Sequence, residues 1–281
     1  MGMVTRKKRS TKILLWVFIA FLLVAFLFPI YWMFIGSLKD NSVLMKTPPQ
    51  LYPTFQTVEN YKTVLTNAKY LRYILNSLIV ATGTVVIDLV LATLAGYSLS
   101  RYRYPGRKAI MILLLSAQIF PVVVIIISLY TFFRKLNLMN SYLGLMLADV
   151  AMSLPLSVWM LMSFVDSVPK SLDEAAHIDG CSRYMTLQLI VMPLMKPGML
   201  AVGIYAFLQS WDDYMLGLVI MTKTTMKTLP VGIAETFMGE FGFDYAGMMT
   251  ISVVASLPVL LLFLVFQKYM VAGLTGGAVK E

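Results

Sequence analysis

From Ile13 to Leu38 the sequence runs without one charged side chain. A helix that crosses a bilayer needs roughly 20 apolar residues, and this run is long enough. In lipid every backbone N–H and C=O must find a partner inside its own segment, which only helices and closed barrels achieve. This one stretch therefore dictates an α-helix surrounded by hydrocarbon. It follows a basic cluster, Arg6, Lys7, Lys8, Arg9 and Lys12. A cleaved signal peptide has an apolar core of about 7–15 residues and a small-residue cleavage site. The run has neither, so a retained first span is expected, with residues 1–12 in the cytoplasm.

Five more apolar runs follow, at about Tyr73–Ser100, Ala109–Phe133, Ser141–Val165, Pro197–Met221 and Ala246–Gln267. Composition agrees: 13% of residues are charged and mean hydropathy is +0.78, whereas soluble domains carry about 25% charged residues. The expected fold class is an all-α, multi-pass membrane protein with six transmembrane helices over residues 13–267. Residues 39–72, with Pro48, Pro49 and Pro53, read as an external loop with a short interfacial helix near Asn60–Asn67. Arg101, Arg103, Arg107 and Lys108 crowd the next loop and place it inside, since basic residues near span ends set orientation. Residues 166–196 and the tail 268–281 are then internal, and 222–245 is an external loop. Net charge is +9; because the cations sit beside apolar runs, they point to membrane orientation and anionic lipid, not to nucleic acid. The lone Cys181 excludes an intrachain disulfide and a thiolate-rich metal site.

Within the 166–196 loop lies a polar, helix-competent island that has no lipid-facing role. Ser171-Leu172-Asp173-Glu174 fits a capping box, and Asp173 and Glu174 suit the positive end of a helix dipole. The helix should stop at Asp179-Gly180, where Gly tolerates the left-handed conformation of a helix end. A second helix should start at Ser182 and run until Pro193 turns the chain into the fifth span. Helices this short are marginal in water and need a surface to pack on. Small Ala175 and Ala176 permit close approach, and Leu172 and Ile178 are available to fill a groove. The competing reading is an amphipathic helix lying on lipid, although the segment lacks the basic face and bulky anchors of such helices.

The string Glu174-Ala175-Ala176-His177-Ile178-Asp179-Gly180, then Ile190-Val191-Met192-Pro193, resembles the EAA loop of permease subunits in ATP-binding-cassette importers. Met192 replaces the usual Leu. Other segments resemble the carbohydrate branch, in particular the second permease of maltose-type systems. These are Glu59-Asn60-Tyr61, Asn76-Ser77, Trp211-Asp212-Asp213-Tyr214 (W-N-[DE]-[FY] in that branch) and the ending Gln267–Lys280. Asp212 stands where Asn is more usual. The resemblance implies a type I importer permease fold in which 166–196 carries a cytoplasmic coupling helix. It implies that Leu172, Glu174, Ala175, Ala176, Ile178, Asp179 and Gly180 dock an ATPase, Glu174 pairing with a basic residue there. It also implies partners: a homologous second permease in a heterodimer, two cytoplasmic ATPase subunits that bind the ATP, and an extracytoplasmic sugar-binding protein. The external loop with Gly232, Gly239 and Gly242 would probe that binding protein, and the tail 273–281 would reach the ATPases. The location implied is a bacterial or archaeal plasma membrane, with both termini cytoplasmic.

Charged side chains inside spans are expensive and need an account. Asp88 and Asp149 fit hydrogen bonds between helices or closeness to a water-filled interface. Trp211, Asp212, Asp213 and Tyr214, with Gln209, combine aromatic faces, carboxylates and an amide, the groups that hold sugars, and are the candidate substrate pathway; an aromatic belt with interfacial acids is the alternative. Gln118 is a weaker site of the same type. His177 has no second ligand nearby, no nucleophile–base pair is visible, and no G-x-x-x-x-G-K-[ST] string occurs. No catalytic residue, cofactor or metal is expected, and the chain is not expected to be an enzyme. Two other classes remain open. A self-sufficient secondary transporter calls for inverted repeats and intramembrane ion ligands, and a membrane enzyme calls for a catalytic constellation. Glycerol phosphate or another polyol is the alternative cargo.

Overall fold

The computed structural model describes residues 3–52, 57–237 and 244–276, with side chains described between residues 12 and 267. Among these the chain is all-helical: α1 (Met3–Ser37), α2 (Asn41–Leu44), α3 (Glu59–Thr66), α4 (Ala68–Arg101), α5 (Arg107–Ala117), α6 (Val122–Lys135), α7 (Tyr142–Ser167), α8 (Lys170–Ile178), α9 (Arg183–Thr186), α10 (Met192–Leu194), α11 (Lys196–Trp211), α12 (Met215–Ile220), α13 (Leu229–Phe237) and α14 (Tyr245–Gly276). Among the described residues four helices are long and apolar enough to cross a membrane, and up to six spans result if each of two bent pairs, α5 with α6 and the α9–α10 segment with α11, counts as one. The interfacial helix expected near Asn60–Asn67 is α3. Gly239 and Gly242 of the external loop, and Gly277 to Glu281 of the tail, lie outside the described residues.

Two expected spans are not continuous. The third is α5 and α6, bent by 100°. Pro121 lacks an N–H and disfavours helix in the residue before it, and it adopts an extended conformation at φ −61°, ψ 130°. Gln118, just before the break, donates from Nε2 to the Met152 carbonyl at 2.6 Å. The expected fifth span is α11 and α12, separated by Asp212–Tyr214. Asp213 causes the interruption: its carboxylate accepts from the Leu216 and Gly217 amides at 3.1 and 2.7 Å. A short acidic side chain that binds nearby amides starts a new helix in preference to continuing the old one. The segment 222–245, expected as an external loop, contains α13 in its described part.

The chain divides into two compact units, residues 1–68 with 233–256 and residues 69–232 with 257–281. In the first, Asn60 donates to the carbonyls of Ser37 and Lys39, both at 3.1 Å, fixing α3 beneath the end of α1. Lys39 is buried at 1% exposure. Its Nζ donates to the Gln50 carbonyl at 2.6 Å and lies 5.6 Å from the Trp32 ring centroid; burial pushes its pKa below 10.5. Most of α1 is exposed apolar surface, including Trp16, Phe18, Phe21 and Phe26, as lipid-facing helices require.

Among the described residues, two apolar clusters lie in the second unit. One joins Ala92, Tyr97 and Leu99 of α4 to Val158, Leu161 and Val165 of α7 and to Leu187, Val191, Met195 and Val202. The other joins Val80, Phe133, Leu145 and Ala148 to Leu216, Ile220 and Met221. Close approach of α4 and α7 needs Gly96: a Cβ there would sit 3.0 Å from the Met162 backbone nitrogen. Two acids within the spans have partners. Asp88 accepts from Ser153 at 2.7 Å and Asp149 from Ser210 at 2.5 Å, so both carboxylates tie helices together as expected.

Candidate functional site

The end of α7 and the loop after it are held to the end of α4 by a polar knot. Ser100 donates to Asp166 at 2.5 Å, and the Arg101 Nη2 donates to the Val168 carbonyl at 2.8 Å. The Arg101 Nε and Asp173 Oδ2 form an ion pair at 2.5 Å, with side chains 6% and 12% exposed. Asp173 therefore does more than favour a helix dipole; it fastens α8 to the membrane bundle. Arg101 was legible in sequence only as an orientation charge, and nothing in the spacing 101 to 173 announces the pair.

α8 starts two residues earlier than expected. Pro169 occupies the N-cap position and Ser171 is already inside the helix, without a side-chain capping bond. The capping box is thus absent, and Glu174 is exposed with no hydrogen bond or ion pair among the described residues. Its two expected roles, cap and partner for an external cation, no longer compete.

The helix has two faces because residues three apart share a side. Asp173 and Ala176 point inward, and Ala176 is 2% exposed. Of the seven residues expected to dock a partner, Ala176 alone is buried within its own chain, so it supports the helix from beneath. Leu172, Glu174, Ala175, Ile178, Asp179 and Gly180 are exposed, and Ile178 reaches 87%. The far end closes as expected. Cys181 donates to the Ala176 carbonyl at 2.9 Å and Gly180 to the His177 carbonyl at 3.2 Å, with Gly180 at φ +85°. That is the Schellman pattern. His177 Nδ1 lies 3.1 Å from the Cys181 carbonyl and donates to it. Ser182 caps the next helix, accepting from the Met185 amide. The chain then passes through a π-helical turn, Leu187–Val191, and bends by 82° into α11.

The second feature is a cavity of about 460 Å³ at the break between α11 and α12. Its polar lining is Asp149, Tyr205, Gln209, Asp212, Asp213 and Tyr214. Four of the five expected pathway residues meet there. The fifth, Trp211, does not line the cavity; it is 4% exposed and stacked on Phe207, with centroids 5.5 Å apart and planes at 13°. Asp213 contributes to the wall while its oxygens cap α12. Asp149 and Tyr205 were missed as lining residues. The charge of Asp149 in a span was visible but has an interhelical explanation, and Tyr205 gives no sequence signal.

Residues 88–276 match the family described as binding-protein-dependent transport system inner membrane component. The chain belongs to that family. Several proteins are similar to this chain over almost the full length. The sulfoquinovosyl glycerol transport system permease protein SmoH of Agrobacterium fabrum is 36% identical, over 96% of this chain and 95% of its own. The trehalose/maltose transport system permease protein MalG of Thermococcus litoralis is 35% identical, over 98% and 99%. A solved chain of a bacterial ABC transporter involved in the import of the acidic polysaccharide alginate has the same fold, with TM-score 0.82, 21% identity, and coverage of 94% of this chain and 98% of that one. The chain is therefore an all-α, membrane-embedded ABC importer permease.

Proposed function

We propose that this chain forms half of the translocation pathway of an ATP-binding-cassette importer for a sugar or oligosaccharide. A homologous permease supplies the other half. An extracytoplasmic binding protein delivers the cargo, and two cytoplasmic ATPases bind and hydrolyse the ATP. α8 is the coupling helix and faces the cytoplasm, as do both chain termini. The single observation that carries the docking role is the split of α8 into a buried face and an exposed one. A short helix that presents Leu172, Ala175 and Ile178 beside an unpaired Glu174 is built to enter an apolar cleft with a cation at its edge.

The mechanism follows from how α8 is fastened. Closure of the ATPase pair on ATP draws the docked helix sideways. The Arg101–Asp173 pair and the Ser100–Asp166 bond carry that displacement to α4, and the shared apolar cluster carries it to α7 and α11. The cavity at the end of α11 then changes its access from one side of the membrane to the other. No bond to the cargo is made or broken by this chain. Sugar as cargo is supported by relatives whose names specify trehalose/maltose, diacetylchitobiose and arabinooligosaccharides, at 35%, 34% and 32% identity. The hydroxyl, amide and carboxylate groups around the cavity suit such a cargo.

Cross-linking tests the docking face. In a Cys181→Ser background, Ile178→Cys should be captured by an ATPase subunit through a short bifunctional reagent, whereas Ala176→Cys, buried in its own chain, should not. Equal capture of both, or of neither, defeats the assignment.

A further inference from the structure

The turn between α4 and α5 carries four cations, Arg101, Arg103, Arg107 and Lys108, and they are not equivalent. Arg101 is neutralised by Asp173. Arg103, Arg107 and Lys108 instead line one depression of about 560 Å³, together with Tyr104, Gly106 and Ala109. That volume lies within the roughly 300–1,000 Å³ typical of ligand sites. Among the described residues none of the three makes an ion pair, and Arg183 close by has its guanidinium stacked 4.9 Å over the Tyr102 ring, not beside an acid. Three uncompensated positive charges converging on one hollow repel each other unless an anion sits among them.

The surroundings identify the anion. The hollow lies where one apolar membrane helix ends and the next begins, the level of lipid headgroups. Beyond it, α5 exposes Ile110, Ile112 and Leu113 at 43%, 66% and 73%, an apolar strip suited to an acyl chain. Two guanidinium forks match phosphate oxygens in geometry and a lysine adds a third donor. The bend at Arg103–Arg107 holds because Gly106 adopts φ +85° with nothing within 4 Å of where a Cβ would lie, so the hollow stays open.

We infer that the α4–α5 turn, through Arg103, Arg107 and Lys108, binds the phosphate headgroup of an anionic phospholipid whose chain lies along Ile110 and Leu113. The site is independent of the coupling helix and of the cavity, and it holds whatever cargo the importer carries. Each cation near an anionic headgroup is worth about a fivefold change in affinity, so removing three changes it by about a hundredfold.

The test is native mass spectrometry of the purified transporter complex, exposed to phosphatidylglycerol and phosphatidylcholine of equal chain length. The wild type should retain phosphatidylglycerol strongly over phosphatidylcholine. The Arg103→Gln/Arg107→Gln/Lys108→Gln variant should lose most of that preference, while an Arg134→Gln/Lys135→Gln control keeps it. Arg107→Lys, which conserves charge and sacrifices the fork, should fall between and guards against a triple variant that fails to fold. An unchanged preference in both Arg107→Lys and the triple variant overturns the proposal. So does displacement of phosphatidylglycerol by millimolar inorganic phosphate, which would make the hollow a free-phosphate site. Loss of the ATPase subunits from the triple variant with its lipid preference intact would make the turn a protein contact, and would equally overturn it.

Discussion

Replacing Arg101 by Met removes the cation that fastens α8 while keeping most of the side chain's apolar stem. Arg101 and Asp173 are nearly buried, so the orphaned Asp173 carboxylate would stay out of water without a partner. Breaking a buried pair from one side costs about 3–5 kcal/mol. At about 1.36 kcal/mol per tenfold, opening of α8 from the bundle should become at least about 10²-fold more frequent. The nine residues of α8 cannot compensate, since helices shorter than ~12–15 residues are marginal alone. Hydrogen exchange of the α8 amides in the membrane-embedded complex reads this directly, with α4 and α7 amides as internal reference. In the assembled importer, ATP hydrolysed per sugar moved should rise, because an unfastened lever no longer moves α4. Asp173→Asn, which keeps a hydrogen-bonding group, should be milder. The exchanged pair Arg101→Asp/Asp173→Arg should recover part of the coupling, which a merely structural lesion would not. Unchanged α8 exchange in Arg101→Met would refute the reasoning.

Other substitutions probe separate links. Gly180→Ala should cost only the roughly 1–2 kcal/mol of a left-handed backbone, because its Cβ meets nothing. Gly180→Pro fixes a negative φ where the turn needs a positive one, so it should abolish ATPase attachment in pull-down. Glu174→Lys should weaken attachment while the membrane helices stay folded. Gly96→Leu drives a side chain into the α7 backbone and should lower the folded yield by size-exclusion chromatography. Asp213→Ala uncaps α12, costing about 0.5–2 kcal/mol, and should reduce transport with ATPase docking intact. Lys39 binds fewer protons folded than unfolded between its lowered pKa and 10.5. Stability should therefore rise with pH through that window, and Lys39→Gln should lose this slope in thermal unfolding.

The membrane class, the number of apolar runs and the C-terminal end of the island helix were all legible in the sequence, because each rests on local chemistry. A charge-free run such as Ile13–Leu38 has one solution in lipid, and Gly180 marks its helix end by itself. What escaped was set by contacts remote in sequence or by competition at one residue. The Arg101–Asp173 pair joins the end of α4 to α8 across three intervening helices. Pro121 and Asp213 each sit within runs apolar enough to hide a break. The face of α8 that Ala176 takes depends on where Asp173 is anchored. Trp211 carried a sugar-binding signature by composition, but Phe207, one turn earlier, claims its ring.

The central claim is that this chain moves cargo only as the passive half of an ATP-driven machine. Liposomes should contain the chain, its companion permease and the ATPases, with the binding protein and its sugar outside and ATP within. Sugar uptake should then appear only when all components and ATP are present. Uptake of the same sugar by liposomes holding this chain alone, without nucleotide, would contradict it.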